Sequence, residues 1–89
     1  MTSMNFGFNQ NVIYNGESYH VQTEDGGRGN PVISTVIFRG GQIVASRRTA
    51  YEGMVSQNGM EAAVKELMQA QHGKAVNDLL NGRLHREGG

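Results

Sequence analysis

Apolar and polar residues alternate along four short stretches of this chain, then recur every three to four residues along a fifth. Period-two alternation predicts half-buried strands, and the wider spacing predicts an amphipathic helix. The first two stretches meet at Asn15-Gly16, a pair that readily takes the positive φ angles of a two-residue hairpin turn. With that turn, Phe8, Val12, Tyr14, Tyr19 and Val21 share one face. Asn9, Asn11, His20 and Gln22 share the other, with Ile13 as its single apolar member. The next two stretches, residues 31–49, turn at Gly40-Gly41 for the same reason. Asn58, with Glu61 three residues later, resembles a capping box that opens a helix. Met60, Ala63, Val64, Leu67, Met68, Ala75, Val76 and Leu79 supply its apolar stripe, and Asn81-Gly82 supplies a stop. The predicted fold is α+β: an antiparallel four-stranded sheet of two hairpins, then one C-terminal helix packed on one face, in the order β-β-β-β-α.

The second hairpin lacks the clean two-sidedness of the first. A two-residue turn sets Phe38 opposite Ile43, Val36 opposite Ala45, Ser34 opposite Arg47 and Val32 opposite Thr49 on one face. The other face pairs Ile37 with Val44, Thr35 with Ser46 and Ile33 with Arg48. Placing the helix over Phe38, Val36, Tyr19 and Val12 leaves Ile33, Ile37 and Val44 on the open face, ringed by Thr35 and Arg48. Exposed apolar patches mark interaction sites. A homodimer, face-to-face or edge-to-edge, is the expected way to cover these five residues, with cover by the N-terminal arm as the alternative. On this reading Ile37→Asp keeps the far-UV dichroism and halves the mass in solution.

Size points the same way. At 89 residues and 37% apolar, with no Trp, the chain builds only a small core, and small cores gain from outside support. With no cysteine, disulfides and thiolate metal sites are closed as that support. The expected layout is a flexible start at 1–7, one domain at 8–82 and a flexible tail at 83–89. No run of apolar residues is long enough for a membrane span or a signal-peptide core, so the expected compartment is the cytoplasm.

Net charge is zero, which disfavours nucleic acid as a partner, yet charge is uneven along the chain. Between Gly26 and Ala50 stand Arg28, Arg39, Arg47 and Arg48 without a single acid. These four are the candidates for an anionic ligand or nucleic acid. Arg47 and Arg48 point to opposite sheet faces, which weakens that alternative.

Other chemistry finds less support. The glycine-rich residues 24–30 lead into Pro31 and a strand rather than a helix, so a connector is expected there and not a phosphate cradle. His20, Gln22 and Glu24 alternate on one strand face, where an acid–base pair is conceivable but no nucleophile accompanies it. His20, His72 and His85 lack metal-ligand spacing, so neither metal nor cofactor is expected. The terminal Gly88-Gly89 is similar to that of ubiquitin-like and sulfur-carrier proteins, but a helix that follows both hairpins argues against their topology.

The run HVQTED at 20–25, the Pro-led strand, Gly40-Gly41, the strand ending in Arg47-Arg48 and then Tyr51, and ELMQAQH at 66–72 form a pattern. It resembles a group of short, uncharacterised bacterial proteins over roughly Tyr19 to Leu80. The resemblance implies one intact domain and carries no activity. The sequence therefore predicts a non-enzymatic module that self-associates through an apolar sheet face and binds a protein partner.

Overall fold

The computed structural model describes residues 7–27, 29–53 and 60–84. It contains β1 (Gly7–Tyr14), β2 (Glu17–Asp25), β3 (Val32–Arg39), β4 (Gln42–Ala50) and α1 (Met60–Leu80). The strands form one antiparallel sheet in the order β1-β2-β3-β4, and the helix packs on one side of it. The α+β order is that expected. Both hairpins turn where the pattern places them, with Asn15 and Gly16 at φ 53° and 77°, and Gly40 and Gly41 at 61° and 83°. Positive φ at both central residues is the turn whose twist matches that of the strands.

The second hairpin departs from the simple register. Phe38 faces Ile43 as expected, but a bulge follows, and Ile37 then pairs with Ala45, Thr35 with Arg47 and Ile33 with Thr49. One extra residue on β4 moves every later side chain of that strand to the opposite face. Arg47 and Thr49 thereby join Ile33, Thr35 and Ile37. Across β2 and β3, Val21 pairs with Ile37 and Thr23 with Thr35, so this face is continuous with Val12 and Val21. Hydrogen bonds from Gly26 N to Val32 O (3.0 Å) and from Asn30 N to Gly27 O (3.0 Å) set the connector that holds this register.

The helix covers that face, which overturns the expected arrangement. Ile33, Thr35 and Ile37 are buried beneath it and Val44 packs against the same core, while Val36 and Phe38 lie on the other side, which no described element covers. Two clusters make up the interior. Val12, Val21, Ile37, Ala75 and Leu79 form one; Ile33, Tyr51, Val64 and Met68 form the other. Tyr51 is buried, and its hydroxyl donates to Asp25 Oδ1 at 2.7 Å. Burial and then that carboxylate push its phenol up to about 12.

The helix ends in a Schellman motif. Gly82, at φ 67°, donates its N–H to Leu79 O at 3.1 Å, and Arg83 donates to Asp78 O at 2.7 Å. Those bonds satisfy two of the last carbonyls and need a left-handed residue at Gly82. Leu84, two residues past that glycine, packs on the first cluster. The expected cap at Asn58 lies outside the described residues. Gly73 sits on the exposed side of α1, where an added methyl group meets nothing within 4 Å. Gly73→Ala is expected to stabilise the fold by about 0.5–1 kcal/mol, read as a raised urea midpoint at unchanged slope.

Candidate functional site

The uncovered sheet face carries a ridge along β3, with Val32, Val36 and Phe38 half-buried by their neighbours. Ile43 beside Phe38 and Ile13 on β1 are 62% and 65% exposed. Polar residues flank the ridge. In one row across the sheet stand Glu24, Ser34 and Arg48; in the next, Gln22, Val36 and Ser46. Arg48 makes no ion pair among the described residues, whereas Glu24 accepts a hydrogen bond from Gln22 Nε2 at 2.9 Å. The ring of His20 lies 6.3 Å from that of Phe38, and its nitrogens meet Asn11 Oδ1 (2.9 Å) and Asn9 Oδ1 (3.3 Å) rather than Glu24.

Of the five residues expected to form an interaction patch, only Arg48 stands on the uncovered face. Ile33, Thr35 and Ile37 are inside the fold, and Val44 is half-buried at the bulge. The four candidate anion-binding arginines are also dispersed. Arg39 pairs with Glu17 at 3.3 Å near the hairpin ends, Arg47 turns under the helix, Arg48 lies on the opposite face, and Arg28 falls outside the described residues.

The covered face holds a line of polar side chains that crosses the whole sheet. Thr49 on β4 donates to Gln71 Oε1 (2.5 Å), and Gln71 Nε2 donates to Thr35 Oγ1 on β3 (3.0 Å). Thr35 and Thr23 of β2 meet at 2.7 Å, Thr23 meets His72 Nδ1 at 2.8 Å, and His72 Nε2 meets Gln10 Oε1 of β1 at 3.0 Å. The direction of donation follows from one end. Gln71 Nε2 also reaches the backbone carbonyl of Ile33 at 3.2 Å, which identifies it as the amide nitrogen. Thr35 accepts from it, and each hydroxyl proton in the line then finds an acceptor only if Thr35 donates to Thr23 and Thr23 to His72 Nδ1. His72 is then neutral, with its proton on Nε2. Burial lowers the pKa of His72, in keeping with a neutral ring.

A third feature lies between α1 and the outer strand β4. A cleft of about 480 Å³ is lined by Arg47, Thr49, Leu67, Ala70, Gln71, Lys74 and Asp78. At one end the Asp78 carboxylate receives Arg47 (2.8 Å), Lys74 (3.4 Å) and Arg83 (3.2 Å). The Arg47 hydrogen bond leads in holding that carboxyl below its usual range.

Gln71 and Asp78 were not among the site residues expected from sequence, and His72 was weighed only as a metal ligand, though a signal existed. His72 stands on the stripe between Met68 and Ala75, and a polar residue on an apolar stripe needs a buried partner. Among the described residues no group of three or more His, Asp or Glu side chains gathers as a metal site would. No described helix is long and apolar enough to cross a membrane. No family model, curated protein or solved structure matches the chain.

Proposed function

We propose that this protein is a non-catalytic association module whose uncovered sheet face meets the same face of a second copy. The observation that carries the reading is the self-complementary layout about β3. Glu24 and Arg48 lie one strand to either side of Ser34, in one row. A two-fold axis along β3 stacks Val36 and Phe38 on their own copies and brings each Glu24 opposite the partner copy's Arg48. A two-fold interface has to match itself in this way. Ile43, over half exposed in the monomer, gains cover from the partner's β2 in the pair. The assembly has four layers, helix–sheet–sheet–helix, with the sheets face to face about 10 Å apart.

Phe38→Glu is expected to keep the far-UV dichroism and halve the mass measured by sedimentation, because Phe38 supports the ridge and not the core. Glu24→Arg or Arg48→Glu alone is expected to weaken the dimer about fivefold, and the two together to restore it. A monomeric wild-type chain at high concentration sinks the reading, as does a double variant no tighter than the singles.

A further inference from the structure

The cleft beside β4 has features that self-association through the other face leaves unused. β4 is an outer strand, so one side of its backbone has no strand neighbour among the described residues. Such an edge accepts a further strand unless something blunts it. Arg47, the charge on the helix side of this edge, is turned inward to Asp78 and is only 26% exposed at its side chain. α1 lies over β1, β2 and β3, so the helix-side surface of β4 forms one wall of the cleft and the flank of α1 forms the other.

The dimensions suit a short extended chain. Leu67 to Asp78 spans about 16 Å of helix, the length of roughly five residues of strand. The two ends differ in character. Leu67 and Ala70 make one end apolar, while the other holds three cations around a single carboxylate. Lys74 and Arg83, 71% and 54% exposed, retain surface for a second anion.

We propose that this cleft takes an extended segment of a partner protein, added as a fifth strand on β4. Its acidic side chain sits against Arg47, Lys74 and Arg83. Thr49 meets Gln71 and Arg47 meets Asp78, so β4 and α1 run in opposite directions. A segment antiparallel to β4 therefore runs along α1 from Leu67 toward Asp78. Its alternate side chains face the cleft, and an apolar residue comes about four positions before the acid. This assignment names a partner class for the module but stands on a different surface from the dimer.

The test is a ¹⁵N-amide titration of the full chain with the blocked peptide TVTVTET and its lysine counterpart TVTVTKT. Expected are shifts confined to 46–50 of β4 and to the α1 flank at Leu67, Ala70, Gln71, Lys74 and Asp78, with the glutamate peptide at least about fivefold tighter. Lys74→Glu, at an exposed site, leaves two cations against two carboxylates at that end and is expected to remove the preference. Any of three results overturns the proposal: no shift there at millimolar peptide, equal affinity for both peptides, or contacts in the unliganded chain that already lay residues 85–89 along β4. Sedimentation of the same samples reports the dimer separately, so failure of one reading is distinguishable from failure of the other.

Discussion

Ile37→Asp is expected to abolish the folded state. Ile37 is 1% exposed at the centre of the sheet, packed with Val12, Val21, Ala75 and Leu79 under the helix. Aspartate there loses the packing of a large aliphatic and buries a carboxyl group with no partner, a cost of at least about 4–5 kcal/mol. A domain of this size holds only about 5–10 kcal/mol in reserve. Far-UV dichroism at 25 °C should therefore collapse, and Ile37→Ala should lower the urea midpoint by the equivalent of about 2–5 kcal/mol. The outcome is opposite to that for Phe38→Glu one residue away. A folded, monomeric Ile37→Asp protein would place the helix on the other side of the sheet and refute the fold described above.

The second large effect concerns His72. His72→Phe removes the acceptor for Thr23 and the donor to Gln10, and leaves a hydroxyl unsatisfied inside the protein. Such a group costs about 1–3 kcal/mol. The same substitution should alter the pH dependence of stability. Because the folded state lowers the pKa of His72, the unfolded chain takes up its proton first as pH falls. Stability contributed by the neutral ring is complete above about pH 6.5 and declines below it, until the folded ring also protonates. The structural reason is that a proton on Nδ1 would force Thr23 to donate to Thr35, whose own proton then has no acceptor in the line. Urea midpoints measured from pH 7.5 to 5 should fall for the wild-type chain and stay flatter for His72→Phe. Asp78 acts in a lower window, since its depressed pKa makes its contribution disappear only as pH drops through the carboxylate range. Parallel curves for the two proteins would show that His72 is not the group responsible.

Much of the fold is legible in local pattern. Asn15-Gly16 and Gly40-Gly41 mark the turns, alternation marks four strands, and the stripe from Val64 to Leu79 marks the helix, because each signal lies within a few residues of its consequence. The choice of covered face is not local. It rests on one extra residue in β4, after Ile43, and on the pairing of Val21 with Ile37 across a connector. With the strict register, Ile33 and Ile37 look like a surplus on the wrong side. With the bulge and the helix on their side, the surplus becomes the core, and the side left open carries Phe38, Val36 and Ile43. The polar line escaped for a related reason. Thr23, Thr35 and Thr49 each read as ordinary strand residues, and their common purpose emerges only when Gln71 and His72 are laid across them.

That line has a further consequence for how the helix is seated. Its apolar residues are of mixed and modest size, and a helix bearing Ala75, Val64, Met68 and Leu79 would find other greasy resting places a turn up or down, a slide of about 5.4 Å. Threonines on three neighbouring strands, a glutamine on the fourth and two adjacent helix side chains interlock at a single position, and any slide would strand several of them at once. Oil holds the two layers together; the polar teeth decide where along the sheet they engage.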